Sequence, residues 1–313
     1  MMAGEKYNDN FFYGHLLKGN LRAAMAYLGR FPEQSERYHR YISLFQEEHY
    51  LTYDVDDGLN EILLLYQKYY RDVFYLEKDT EEAALELRNR FANLFRLPAG
   101  VSLDDMEQGQ IAEAFHSRGF HFLGGRTGGY YGPYIWKTET LEHYMVELPD
   151  GMQEYAVKFL EEFLLVSWLD YLSFGEIGTG GWSDKEGLIH CIKASYHLES
   201  EHFQVSLLKH EAQHAADLSQ YRDMTSEDLE YRAKLVELIY SNEQNLLPSF
   251  MAQADGRKAG NSHVLAAECI IKGFEQHLKR HRNEFEALSV LEVQMAAKRL
   301  FAESTREAVR KYL

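Results

Sequence analysis

The pentapeptide His-Glu-Ala-Gln-His at residues 210–214 constrains this chain more than any other feature, because it places two histidines four residues apart. The run 201–220 contains no Pro or Gly and has apolar residues at helical spacing, so it predicts a helix. Residues four apart lie on one face of a helix, so His210 and His214 can reach one cation. Glu211 then lies beside that cation, placed to take a proton from water. The alternative is a helix whose histidines bond to neighbouring backbone or carboxylate groups.

A third ligand is expected downstream, because a catalytic zinc site normally has three protein ligands and leaves one position to water. The chain has Asp217 and Gln220 where the extended metzincin motif would require Gly and His, so that pattern is excluded. Thr225, with Asp228 three residues later, predicts the start of a second helix. Glu230 borders the apolar face of this helix, and we predict it as the third ligand.

Other acids compete for that role. Glu237 follows Glu230 by seven residues and falls on nearly the same helical face, whereas Glu227 lies in the first turn, where the helix dipole already explains a carboxylate. Glu230 could instead form an exposed ion pair with Lys234, four residues on. Asp217 could orient an imidazole or be a solvated acid at a helix end.

These residues resemble the gluzincin branch of the zincin metallopeptidases, in which a ligand Glu follows HExxH on the next helix. The matching residues are His210, Glu211, His214, Glu230 and Ala233. The resemblance implies one zinc ion, hydrolysis of peptide bonds, and Glu211 as the general base that later passes its proton to the leaving amine. It also implies a Tyr or His that donates to the developing oxyanion. The candidates are His263, which opens a helix after a loop at 256–260, then Tyr231, Tyr221 and Tyr196.

The apolar, β-branched segment 188–196 predicts a strand just before the histidine helix. In zincins a strand at this point commonly forms the sheet edge along which an extended substrate lies, so the resemblance implies a cleft beside it. Trp182, in a Gly-rich turn upstream, is expected to pack in the core.

Composition limits the partners and the compartment. A net charge of −16 over 313 residues, with no Lys/Arg-rich run, argues against nucleic-acid binding and against attachment to anionic membranes. The amino-terminal residues do not form a secretory signal, and the two cysteines, Cys191 and Cys269, do not suggest a disulfide framework. We therefore expect a cytoplasmic protein whose partner is a peptide or protein substrate; the oligomeric state stays open.

The pattern along the chain predicts a predominantly helical α+β protein. A helical region at 1–98 precedes a zincin-like domain at 99–313, with a small mixed sheet and the HExxH helix. Helices are predicted over 9–95 and near 152–173, 203–219, 226–243, 262–280 and 285–311, and strands at 134–136 and 142–148.

Two other functions stay open at this stage. The zincin-like fold could be a non-catalytic interaction scaffold in which a metal has a structural role. The same activated water would also attack a non-peptide amide or an ester.

Overall fold

The amino-terminal helices form where capping side chains and apolar spacing coincide. The computed structural model describes residues 6–98, 100–184, 186–254 and 261–313. Asp56 caps the long helix α4 by accepting hydrogen bonds from the backbone N–H groups of Gly58 and Leu59. That helix buries Tyr66 and Tyr70 completely, so the tyrosine-rich segment forms a core as its spacing predicts.

The predicted helical region contains five helices, and nine more follow. They are α1 (Asp9–Leu16), α2 (Leu21–Leu28), α3 (Ser35–Tyr41), α4 (Asp57–Tyr70), α5 (Thr80–Leu94), α6 (Leu103–Met106), α7 (Ala112–His116), α8 (Ser167–Ser173), α9 (Glu201–Phe203), α10 (His210–Gln220), α11 (Ser226–Tyr240), α12 (Leu246–Ala254), α13 (Ser262–Leu278) and α14 (Val290–Tyr312). Four π-helical segments extend helices, at Ile42–Gln46, Arg71–Tyr75, Glu107–Ile111 and Gln204–Lys209.

The strands form small sheets, as an α+β class requires. They are β1 (His121–Leu123), β2 (Arg126–Thr127), β3 (Tyr130–Tyr131), β4 (Tyr134–Trp136), β5 (Thr138–Leu148), β6 (Gly151–Glu161), β7 (Leu165–Val166), β8 (Gly181–Ser183) and β9 (Ile189–Ile192). The largest sheet has the order β5-β6-β9-β8; β6 and β9 are parallel, and β8 is antiparallel to β9. The mixed sheet and the predominance of helix confirm the predicted class.

The chain divides into two compact units. The first unit comprises Met1–Thr138 and Glu161–Thr179, and the second comprises Glu139–Leu160 and Gly180–Leu313. Leu103 and Phe115 lie in the same apolar core as the amino-terminal helices. The first unit therefore extends past residue 98, where composition places a boundary.

One helix prediction is wrong. The segment near 152–173 contains strands β6 and β7 followed by the short helix α8. On β6, Tyr155, Val157 and Phe159 are buried while the residues between them are more exposed, which is the alternation of a strand. The helices predicted near 203–219, 226–243, 262–280 and 285–311 are confirmed in type, with shifts at their ends and a 3-10 turn at Arg282–Ala287 before α14.

In the described part of the second unit, the larger of two apolar clusters lies between the sheet and its helices. Phe159 from β6 and Cys191 from β9 pack in the same cluster as Phe203, Leu207 and Ala212, so the histidine helix lies against the sheet. In the described part of the chain, no helix is both long and apolar enough to cross a membrane.

Candidate metal centre

Helix α10 holds the two histidines of the pentapeptide on one buried face. It follows directly from the π-helical segment Gln204–Lys209. Ala212 is completely buried in the core, while His210 and His214 are only 8% and 9% exposed. Two imidazoles buried to this extent need hydrogen-bond or charge partners, because burial of an unpaired polar group costs free energy.

Helix α11 brings Glu230 to the same point. His210 Nε2 and His214 Nε2 lie 3.0 Å apart, and each lies 3.6 Å from an oxygen of Glu230. Zinc bonds of the usual length in tetrahedral geometry would place such atoms roughly 3.3–3.6 Å apart. Within the described residues, this trio alone forms a group of at least three His, Cys, Asp or Glu side chains whose ligand atoms lie within 4.8 Å of one another.

Glu237, the rival third ligand, has a different place. Its Oε1 lies 2.7 Å from His210 Nδ1, on the opposite ring nitrogen from the shared point, and its side chain is 7% exposed. A carboxylate there keeps the proton on Nδ1 and leaves the Nε2 lone pair for a cation. Glu237 thus orients the His210 ring, a place that helical spacing alone did not distinguish from that of Glu230.

The charges of the cluster favour a divalent cation. Glu211, Glu230 and Glu237 all influence His210 electrostatically, and the buried Lys234 lies on the same helix. With neutral imidazoles, three carboxylates and one ammonium leave a net charge of −2, which a divalent ion would neutralise.

The pKa shifts agree with this picture. Burial raises the pKa of Glu230, but the imidazoles of His214 and His263 and the charge of His210 outweigh it and hold that pKa well below its usual range. For His210, burial lowers the pKa, but bonding to Glu237 and the surrounding carboxylates raise it above its usual value. The cluster thus favours positive charge at its centre.

Asp217 has neither of its two predicted roles. It is 2% exposed, so it is not a solvated acid, and both its oxygens accept hydrogen bonds of 2.9 Å from Arg232 Nε. Arg232 is also buried and donates to Ser304 Oγ. His214 Nδ1 is buried without a hydrogen-bond partner among the described residues. The Asp217–Arg232 pair therefore ties α10 to α11 behind the cluster.

The predicted oxyanion donors fall in different places. His263 Nδ1 lies 2.7 Å from Glu230 Oε2 without hydrogen-bond geometry, and its side chain is 48% exposed. The loop at 256–260 that precedes its helix lies outside the described residues. Tyr231 points away from the cluster into a cavity of about 310 Å³ that Glu227 and Cys269 also line. Adjacent helical positions point about 100° apart, so Tyr231 leaves α11 in a different direction from Glu230, and its role as a donor stays a prediction.

Tyr196 is the tyrosine that the structure brings to the cluster. Burial raises the pKa of its hydroxyl, and the charges of Glu211 and Glu237 raise that pKa further. The ring lies against Gly180, where an added Cβ would be 2.7 Å from Tyr196 Cζ. Tyr221, the remaining candidate, packs near Tyr312 and responds to Arg232 and Asp217 instead.

The sheet edge beside the cluster is formed by β8. The predicted strand at 188–196 is shorter than expected, and as β9 it lies between β6 and β8. The prediction that it forms the edge is therefore wrong; the edge belongs to Gly181–Ser183, which precedes it in the chain. Trp182 is half-buried there and stacks on His190, with ring centroids 5.1 Å apart.

No protein-family model, curated protein or solved structure matches the chain significantly. The site must therefore be interpreted from its own geometry and from the resemblance of its motif.

Proposed function

We propose that this protein is a zinc-dependent metallopeptidase. The observation that carries the proposal is the convergence of His210 Nε2, His214 Nε2 and the Glu230 carboxylate on one point, with Glu211 next to His210 on the same helix. A zinc ion held there would polarise a scissile carbonyl and lower the pKa of its water ligand. The two spacings of 3.6 Å from the imidazoles to Glu230 fit such an ion, whereas the 3.0 Å between the imidazole nitrogens would have to widen by a few tenths of an ångström.

The residues of the chain divide the remaining work. Glu211 is half-buried, so it can both accept a proton from water and release it to a leaving amine. Glu237 holds the His210 ring with Nε2 facing the shared point. His263 sits against Glu230 at the exposed side of the cluster and restrains that ligand.

Substrate binding would use the sheet edge and Tyr196. Strand β8 is the last strand in the order β5-β6-β9-β8 of the described sheet, so an extended peptide would run beside it. The phenol of Tyr196, whose hydroxyl is influenced by the charges of Glu211 and Glu237, would donate to the developing oxyanion.

Metal analysis tests the ligand set first. We expect about one zinc per chain in the purified protein by elemental analysis, and near-complete loss in His210→Ala, His214→Ala and Glu230→Ala. The matched control is Glu227→Gln on the same helix, which should keep its zinc because Glu227 lines the other cavity. Retention of zinc in Glu230→Ala would assign the third ligand elsewhere.

Peptidase activity tests the reaction. A mixed peptide library, analysed by mass spectrometry, should yield cleavage products that disappear with a chelator. Glu211→Gln should keep its zinc and lose roughly 10²- to 10⁴-fold in rate. Zinc bound without cleavage would favour a scaffold role, and turnover of esters or non-peptide amides alone would favour the other hydrolase.

A further inference from the structure

Lys234 is a buried cation on the metal-facing side of α11. It follows Glu230 by four residues and precedes Glu237 by three, so all three side chains leave the same face of the helix. Only 5% of Lys234 is exposed. Lysines are almost never this deeply buried unless they are paired.

The pair that the sequence suggested does not form. Glu230 contacts His210, His214 and His263 instead, and in the described part of the chain no carboxylate lies within 4.0 Å of Lys234 Nζ. Nor does Lys234 donate a hydrogen bond to any described residue. The Nζ atom lies 4.4 Å from the centre of the Phe250 ring on α12. This contact with an aromatic face replaces only part of the lost hydration.

The acids nearest to Lys234 have other partners. Glu237 is bonded to His210 Nδ1, and Glu230 would share its charge with a bound cation. Burial lowers the pKa of Lys234, and the charges of Glu237 and Glu230 oppose that shift only in part. The Lys234 ammonium has no acceptor among the described residues and lies one helical turn from Glu230, so an anion bound there would supply one.

We propose that Lys234 binds a carboxylate of the substrate, so that the preferred substrates carry this group next to the bond to be cut. The inference rests on the proposed peptidase function and names its substrate class. Side chains four apart on a helix have Cβ atoms about 5–6 Å apart, so the carboxylate lies within one residue of the scissile carbonyl. The free carboxyl terminus of a peptide meets that condition, and the enzyme then removes carboxy-terminal residues.

Three short peptides test the proposal. They are penta-alanine with a free carboxyl terminus, penta-alanine with a terminal amide, and an amidated analogue with an aspartate beside the scissile bond. We expect cleavage of the free acid at a kcat/KM at least tenfold above that of the amide. Lys234→Met, which keeps the length of the side chain, should lower kcat/KM for the acid by roughly 10- to 100-fold more than kcat/KM for the amide, so that the preference for the acid is lost. If Lys234→Met lowers kcat/KM only for the aspartate peptide, the bound carboxylate is that of a side chain. Equal kcat/KM values of the natural protein for the free acid and the amide would overturn the proposal.

Binding to Glu211→Gln makes the test independent of turnover and of the Lys234 substitution. Calorimetry should show the free-acid peptide binding at least tenfold more tightly than the amide, and equal affinities would refute the carboxylate site. The failure of the peptidase proposal appears separately, as absence of zinc or of cleavage of all three peptides. Zinc content and thermal unfolding of Lys234→Met confirm that the variant is folded.

Discussion

The two units bury ionisable groups in different ways. In the first unit, Glu107 is 2% exposed and both its oxygens accept hydrogen bonds, from Tyr66 OH at 2.6 Å and from Gly125 N–H at 2.7 Å. In the second unit, His210 and His214 direct their Nε2 atoms at each other, 3.0 Å apart, with a carboxylate nearby. The first arrangement is complete within the protein, whereas we propose that a cation completes the second. Burial is common to both sites, and the convergence of His210, His214 and Glu230 is what distinguishes the second.

The largest effect on stability should come from the buried Asp217–Arg232 pair. This pair lies in the second unit, but both its charges are satisfied within the protein. Asp217→Ala leaves the Arg232 guanidinium buried without its carboxylate, which should cost about 3–5 kcal/mol of unfolding free energy. Chemical denaturation measures it, and Asp223→Ala at the exposed turn that follows is the matched control. A loss below 1 kcal/mol would show that this pair contributes little and would weaken the comparison.

The next effect is a pH dependence in the first unit. Burial raises the pKa of Glu107 to about 7 from its usual 4.5, so ionisation is harder in the folded state. The contribution of Glu107 is fully favourable below about pH 4.5, and roughly 3 kcal/mol is lost as the pH rises to about 7. Glu107→Gln should remove that part of the dependence, because its amide can still accept from Gly125 and donate to Tyr66. Parallel pH-dependent slopes in the two proteins would contradict the assignment.

Zinc should stabilise the second unit and leave the stability of the first unit unchanged. At a free concentration one hundred times its dissociation constant, zinc should stabilise the second unit by about 2.7 kcal/mol. Hydrogen exchange followed by mass spectrometry should show this protection in α10 and α11 and not in α4 or α5. His214→Ala should abolish the protection, whereas protection spread equally over both units would count against the cluster as the binding site.

The smallest effect concerns the carboxylate behind the ligand. Glu237→Gln should weaken zinc affinity by roughly 10- to 100-fold, because an amide holds the His210 ring less firmly and does not support its charge. Competition with a chromophoric chelator measures this affinity. The exposed Glu243→Gln should bind zinc like the natural protein, and an unchanged affinity in Glu237→Gln would reduce that residue to a structural role.

Helical geometry is local, so the spacing of His210 and His214 on α10 and the start of α11 could be predicted from the sequence. Glu230, which the motif resemblance favoured over Glu237 and Glu227, lies beside both histidines, and its role as a ligand stays a prediction. The metal, the fold family and the reaction remain predictions. The place of Glu237 could not be resolved, since residues seven apart share a face and only the packing of α10 on α11 distinguishes ligand from orienting group.

The error at 152–173 and the unpredicted place of Lys234 have different causes. The apolar content of the segment near 152–173 suggested a helix, although the alternation of Tyr155, Val157 and Phe159 already indicated a strand. Tyr231 follows Glu230 in the chain, yet the helix turns it into another cavity. The burial of Lys234 depends on Phe250 from α12, and no local pattern carries that information.

Gly180, just before β8, and Gly181, its first residue, both lie where a larger side chain has no room. A methyl group on Gly180 would meet the Tyr196 ring, and one on Gly181 would lie 2.5 Å from the carbonyl oxygen of His190 and 2.8 Å from Leu207 Cδ1. Both positions need the smallest residue for want of space. In a library of random single substitutions, these two sites should tolerate replacement as poorly as the histidines themselves, although neither takes part in any chemistry.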